Sequence, residues 1–352
     1  MRSLVALIVG AAWVLCAQAE PFLAVETGYQ CNQCHVNPTG GGLRNTFGDV
    51  FSQNQLPANP SNLDVWTGSV LGRFSIGADG RGSGRMFDVE NQDDHQTFEV
   101  DRVTLYLNFV LNEHISLYLD EQIAPGGSLN RQAWVMLTAG NWYVKGGKLF
   151  LPFGIRFEDD SAFVREITGI NFDSADNGIE AGYVGSAWSA QLSLTNGTAG
   201  SGEVDDGKQG SIRIERVQPR WRAGISGNFN HTDPGDRTMY GVFGGLQTGP
   251  VSWLVEYDRI EDDGFGAGNR EQDVALLQTS IRLRKGHYLH LTAELNRPDD
   301  GDSQDRFRYG AVYDYFPWTF TEIRAGYRER DSDDNDAALN ATEAFVQVHV
   351  FF

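Results

Sequence analysis

Val103, Leu105, Leu107, Phe109 and Leu111 alternate with Arg102, Thr104, Tyr106 and Asn108. The same period of two returns at Ile115, Leu117 and Leu119 against Ser116, Tyr118 and Asp120. It returns again at Leu289, Leu291, Ala293 and Leu295 against His290, Thr292, Glu294 and Asn296. Successive side chains on a strand point to opposite faces, so each segment has one apolar and one polar face. No helical periodicity falls between such segments from about Val65 onward, which implies antiparallel sheet.

The connections say which kind of sheet. Short turns recur at Asn112-Glu113-His114, Gly140-Asn141, Ser186-Ala187, Gln218-Pro219-Arg220, Gly249-Pro250, Lys285-Gly286 and Pro317-Trp318. Longer acidic segments fall between them: Asp88 to Asp94, Glu158-Asp159-Asp160, Glu203 to Asp206, Glu261-Asp262-Asp263, Asp299 to Asp302 and Asp331 to Asp336. Short turns alternating with long loops are the pattern of an outer-membrane β-barrel, and the apolar strands match the roughly 9–11 residues that a tilted membrane strand needs.

The pattern predicts sixteen antiparallel strands. They start near Val65, Phe98, Ile115, Ala133, Tyr143, Ile179, Trp188, Gln209, Trp221, Thr238, Val251, Val274, His287, Phe307, Thr319 and Ala341. An even number puts both barrel ends and the seven short turns on the periplasmic side, with eight long loops outside. Ala344, Val346, Val348, Val350 and Phe352 alternate to the last residue, similar to the C-terminal signal read by the outer-membrane insertion machinery. A secreted β-sandwich shares the alternation but accounts for neither the turn asymmetry nor the terminal aromatic.

The N-terminus names the export route. Arg2 precedes the apolar run Leu4 to Cys16, which is too short to span a bilayer, and Ala17-Gln18-Ala19 supplies small residues for cleavage. Residues 1–19 therefore read as a signal peptide, with the mature chain starting at Glu20. A lipoprotein is excluded because Leu15 is too large for a lipobox. The expected domains are the signal, a head and linker over 20–60, and the barrel over 61–352.

Of three cysteines, Cys16 leaves with the signal, and Cys31 and Cys34 remain. In an oxidising compartment two such thiols can form a disulfide or a redox pair. The next residue, His35, completes Cys-x-x-Cys-His, a c-type haem attachment pattern: both thiols add to vinyl groups and the imidazole ligates iron. Covalent haem c, one per chain, is the expected cofactor, with Cys31 and Cys34 as attachment points and His35 as proximal ligand. Asn37-Pro38-Thr39-Gly40-Gly41-Gly42 follows, where glycines permit tight turns and close backbone approach. Leu43, Phe47 and Val50 then sit at i, i+4 and i+7, suiting a short helix over a porphyrin face or a simple docking helix. Asn54 to Asn62, with Pro57 and Pro60, reads as a linker.

The segment Gly146-Gly147-Lys148-Leu149-Phe150-Leu151-Pro152-Phe153-Gly154 resembles a strand-and-turn pattern of the phosphate-selective porin superfamily. The whole layout adds Thr27-Gly28-Tyr29 leading into Cys31-x-x-Cys34-His35 before a porin. It is similar to the fused monohaem cytochrome c–porin family of outer-membrane iron(II)-oxidase type. That resemblance implies electron transfer from extracellular ferrous iron, or another redox donor or acceptor, to a periplasmic cytochrome or other carrier. It also implies an iron(II):cytochrome oxidoreductase activity and outer-membrane lipid around the barrel.

The head contains no second axial ligand, so a distal ligand must come from the barrel or the iron is five-coordinate. Strand parity places His290, His349 and Met136 on the lumen side, and Met86 falls on the first long loop; these four are the candidates. Lumen-facing Arg102, Arg213 and Arg324 are candidates to neutralise haem propionates, or are ordinary lumen lining. Clusters such as Asp331, Asp333, Asp334 and Asp336 supply hard oxygen ligands for divalent cations, or are solvated loops. A formal charge of −19 with no basic stripe argues against nucleic acid. Nothing resembles a hydrolase triad or a phosphate loop. Besides the electron conduit, in which electrons run in either direction, a passive or anion-selective porin with a small plug is the other reading.

Overall fold

The computed structural model describes residues 20–61, 65–157, 159–203, 205–265, 268–298, 305–332 and 340–352. The signal segment, Glu158, Asp299 to Asp302, and Asp333, Asp334 and Asp336 lie outside them.

Three short helices form the head: α1 (Pro21–Thr27), α2 (Cys31–Cys34) and α3 (Thr46–Asn54). A two-residue strand, β1 (Ser69–Val70), pairs with the start of the next strand. The barrel follows as β2 (Phe74–Val89), β3 (His95–Asn112), β4 (Ile115–Ala124), β5 (Leu129–Ala139), β6 (Trp142–Leu149) and β7 (Asp176–Val184). It continues as β8 (Trp188–Thr195), β9 (Gln209–Gln218), β10 (Trp221–Thr232), β11 (Gly235–Thr248) and β12 (Val251–Asp263). The wall is completed by β13 (Arg270–Arg284), β14 (His287–Arg297), β15 (Arg306–Tyr315), β16 (Thr321–Ser332) and β17 (Ala341–Phe351). Each strand pairs antiparallel with its chain neighbour, and β17 closes on β2 from Ala341↔Val89 to Phe351↔Asp79. β2 to β17 are the sixteen expected strands, and the seven short turns fall where the turn residues put them. The first strand differs: Val65 precedes it, and membrane pairing begins at Phe74.

The wall is inverted relative to a soluble sheet. Along β12, Ser252, Glu256, Asp258 and Asp262 are buried in the interior while Trp253, Val255 and Tyr257 are exposed outside. Along β3, Thr104 and Asn108 face in and Leu105 and Leu107 face out. An apolar outer face is stable only against hydrocarbon, and a polar interior only where its groups are paired. Trp142, Trp188 and Trp221 ring the short-turn end, and Tyr240, Tyr257, Tyr309 and Tyr327 lie farther up, as the aromatic girdles of a membrane barrel do.

Two segments fill the lumen. The head enters from the short-turn end. The connection 150–175 between β6 and β7, including α4 (Phe163–Glu166), folds inward from the opposite end. Ile155 N donates to Glu256 at 2.9 Å, Phe163 N donates to Glu294 at 2.6 Å, and Arg165 pairs with Glu256. Asp159 is therefore not part of a solvated outer loop: it accepts ion pairs from Arg308 at 2.6 Å and Arg328 at 2.9 Å. Burying Phe150, Phe153, Ile155, Phe157 and Phe163 draws this connection inward. The outer connections also vary more than expected, since β10 and β11 are joined by Asp233 and Pro234 alone.

Candidate haem-binding site in the lumen

The Cys31-x-x-Cys34-His35 segment owes its shape to one helical turn. Gln30 caps α2, and its backbone N–H donates to the Gln33 side chain at 2.8 Å in a reciprocal capping box. Cys31 and Cys34, three apart, therefore share one helix face. Both are half-buried free thiols. Extended backbone then takes over at His35, which forms an isolated bridge with Arg44, and Val36 N donates to Leu43 O at 3.0 Å.

Between those strands of the return, Gly40, Gly41 and Gly42 have φ of 87°, 77° and 64°, a left-handed run that only glycine adopts without strain. A Cβ on Gly40 would come within 3.1 Å of the Cys31 Cβ and 3.2 Å of its Sγ, so the loop lies directly against Cys31.

Cys31, Cys34 and His35 line one cavity with about 910 Å³ of empty space, part of it open to solvent. Leu23, Phe51 and Leu56 of the head and Phe153 and Ile155 of the inward connection give it apolar walls. Arg156, Arg213 and Arg222 supply positive charge from the barrel side.

The electrostatics suit ligation of iron. His35 is buried, and its Nδ1 has no hydrogen-bond partner. Burial, with Arg44 nearby, pushes its pKa down to about 3, so the imidazole is neutral, the form that binds a metal. Burial pushes the Cys34 thiol up to about 11. Arg213 and Arg222 share the Glu215 carboxylate, and Arg213 Nε also donates to Gly154 O at 2.7 Å. Arg156 instead donates to Thr39 Oγ1 at 3.0 Å and Gly40 O at 2.9 Å, and among the described residues no carboxylate pairs with it. A guanidinium enclosed beside neutral acceptors is a ready partner for an acidic group. An uncommitted imidazole nitrogen, two thiols on one helix face and an arginine without a carboxylate fit a haem with its propionates.

The distal candidates do not reach this cavity. Met136 is buried on β5, away from the lining. His290 faces the lumen as expected but packs at a tilt against Phe22, with ring centroids 5.1 Å apart, and bonds to Ser280. His349 faces the lumen and is held by Glu322 and Arg81. Met86 is not on a loop: it lies within β2, opposite Ala344, with its side chain exposed. Strand alternation gives the face of a side chain but not its height or angle around a barrel, so parity could not rank these residues.

Of the expected arginines, Arg213 lines the cavity. Arg102 turns to Asp79 and Asp160, and Arg324 pairs with Asp314 elsewhere on the wall. Arg156 and Arg222 were not anticipated; Arg156 belongs to the inward connection, whose path no local pattern discloses. The helix after the motif forms, capped by Asn45 accepting from Gly48 N at 3.0 Å. Its cavity face, however, is Gly48, Phe51 and Ser52 rather than Leu43, Phe47 and Val50. Leu43 precedes the helix and packs toward Gly77 of the wall, while Phe47 stays 46% exposed beside Tyr29.

The head touches the wall around much of its circumference. Gln30 Nε2 donates to Gly185 O at 2.7 Å, Leu43 N to Tyr118 Oη at 3.1 Å, and Arg222 to Pro21 O at 3.2 Å. Phe22 packs at a tilt against Tyr288, with ring centroids 5.2 Å apart, and Arg44 sits 4.6 Å over the Phe351 ring. The segment read as a linker is tied down as well: Ala58 N donates to Phe316 O at 2.8 Å.

No family model matches the chain, and no curated protein is similar to it in sequence. Solved structures do match its fold. The anion-selective porin from Comamonas acidovorans aligns at a TM-score of 0.63 and 12% identity, over 79% of this chain and 99% of that one. The outer membrane channel DcaP of Acinetobacter baumannii aligns at 0.60 and 13%, over 81% and 99%. A loop-deletion mutant of OmpT, an outer membrane protein of Vibrio cholerae, aligns at 0.60 and 13%, over 80% and 100%. The chain thus has the outer-membrane porin fold, which implies a lipid-facing outer wall. This supports the porin part of the family resemblance.

Proposed function

We propose that this protein is an outer-membrane electron conduit: a porin-type barrel whose lumen holds one c-type haem on an N-terminal head. The observation that carries this reading is the cavity shared by Cys31, Cys34, His35 and Arg156 inside the barrel. When bound, haem supplies a one-electron iron centre. Cys31 and Cys34 hold it covalently, His35 offers its neutral imidazole to the iron, and Arg156 with Arg213 offers charge to the propionates. Phe51, Phe153 and Ile155 limit water at its faces, and the barrel wall keeps the centre out of lipid. The donor favoured by the resemblance is extracellular ferrous iron, with a periplasmic cytochrome as acceptor.

A second reading is favoured by the structural neighbours: an anion-selective or passive porin in which the head is only a plug. The protein made in a host with c-type haem maturation separates the two. Covalent haem by its pyridine haemochrome spectrum, reduction by Fe(II) near neutral pH, and little conductance in planar bilayers are expected. A haem-free protein with large open-channel conductance would establish the porin reading instead. Covalent haem that Fe(II) leaves oxidised would remove ferrous iron as donor and keep the cytochrome.

A further inference from the structure

A second cluster lies on the lumen wall beside the start of the head. Asp314 near the end of β15 and Glu322 near the start of β16 are both buried. Each commits one carboxylate oxygen to a neighbour. Asp314 Oδ1 accepts from Arg324 Nε at 3.0 Å, and Glu322 Oε2 meets His349 Nδ1 at 2.5 Å. Of the other two oxygens, Asp314 Oδ2 forms an ion pair with His290 Nε2 at 3.0 Å, and Glu322 Oε1 is buried without a hydrogen-bond partner.

Glu20 completes the group from the head. Oxygens of Glu20, Asp314 and Glu322 all lie within 4.8 Å of one another. That is the span available around one ion, because two oxygens opposite each other at about 2.4 Å from a Ca²⁺-sized cation stand about 4.8 Å apart. A cavity with about 580 Å³ of empty space, lined by Glu20, His290, Asp314 and Arg324, gives an ion access. Arg324 reaches both wall carboxylates, at 3.0 and 3.9 Å, and with His290 3.0 Å from Asp314 offsets part of the three charges. Three carboxylates that converge in an enclosed site repel one another unless cations or protons offset them.

We propose that Glu20, Asp314 and Glu322 bind one hard divalent cation of the Ca²⁺ or Mn²⁺ class, fastening the start of the head to the barrel wall. Each wall carboxylate is oriented by its outer oxygen, through Arg324 for Asp314 and His349 for Glu322, and presents the inner oxygen to the ion. The site does not depend on the haem reading, since it joins the head to the wall whether the head carries a cofactor or not.

The probe is Mn²⁺, titrated into chelator-stripped full-length protein in detergent and followed by electron paramagnetic resonance. One tight site is expected above the weak background of the acidic loops, with Ca²⁺ as a competitor. Glu20→Gln and Glu322→Gln should each weaken that site at least tenfold. Chelation should also speed proteolysis of the head in the wild type and change little in Glu20→Gln. The proposal is overturned if wild type shows only weak binding, or if both variants, folded by heat-modifiable mobility, bind as wild type does. Should Glu322→Gln fail to form a barrel, Glu20→Gln decides alone, because Glu20 lies in the head and outside every strand.

Discussion

Lys145, on the barrel wall, donates from Nζ to Oδ1 of Asn37, two residues past the haem-motif histidine, at 3.1 Å. The same ammonium pairs with Glu180 at 3.0 Å, and both charged side chains are fully enclosed. Tyr143 donates to Glu180 at 2.6 Å, and Asn37 Nδ2 donates to Gln132 at 3.1 Å. The loop behind His35 is therefore fastened to β5, β6 and β7 by a single buried network.

Breaking one member of that network leaves a charge stranded. Lys145→Met should cost about 3–5 kcal/mol, the penalty of an unpaired enclosed carboxylate at Glu180. Adding Glu180→Gln should recover much of it. The midpoint of denaturant unfolding, read for the single and double variants, checks both statements; equal midpoints for the two would refute the pairing.

His35 gives the apo head a pH dependence of defined sign. Its folded pKa is depressed to about 3, below the ordinary imidazole value of 6.5. The stabilisation from neutral His35 is complete above about 6.5 and is lost as pH falls from there toward about 3, where the folded imidazole protonates too. Protease resistance of haem-free head should decline over that window, and His35→Gln should flatten the decline. His35→Ala in the loaded protein should keep the barrel and alter the haem spectrum, whereas Cys31→Ala with Cys34→Ala should lose covalent haem.

Asp49 works in the opposite direction. In α3 its Oδ2 is buried without a hydrogen-bond partner, and burial raises its carboxyl to about 7, against the pull of Arg44. A raised carboxyl stabilises the docked head fully below about 3.8, and that contribution is lost as pH rises through about 7. Asp49→Asn should therefore resist proteolysis of the head better than wild type at pH 8 and match it near pH 4. Greater protection of wild type at pH 8 would contradict this.

Arg156 should set the potential of the bound haem. Arg156→Gln removes a positive charge beside the propionate side of the cavity, a loss of about 1 kcal/mol at the effective dielectric of such sites. The expected result in a spectroelectrochemical titration is a downward shift on the order of 40 mV, which is that energy for one electron. Arg156→Lys should restore most of it. An unchanged potential in Arg156→Gln would place the propionates elsewhere.

Much was legible because it is local. Alternation over Val103 to Leu111, turn pairs such as Gly249-Pro250, and the run ending at Phe352 each act within one strand or one turn. The strand count and most boundaries follow from them. Boundaries slipped where lumen and lipid faces are both polar: Phe74 to Val89 contains Gly77, Gly80, Gly82 and Gly84, so its alternation is weak, and the first strand was placed early at Val65. The helix after the motif was found, but its buried face was misjudged, since Phe47 and Val50 have apolar side chains that the fold leaves exposed.

The sequence by itself determined the barrel and its strand number, and it set Cys31, Cys34 and His35 side by side, because hydrophobic periodicity, turn chemistry and motif spacing are written in consecutive residues. Only the tertiary structure decided what surrounds that motif. Arg156 comes to Gly40 across 116 positions of chain, Lys145 to Asn37 across 108, and Glu20 to Asp314 and Glu322 across most of the barrel. Closure of β17 on β2 and the inward folding of residues 150–175 bring these partners together. Those are long-range packing outcomes, set by which buried charges and aromatic side chains can satisfy one another inside the wall, and no local pattern encodes them.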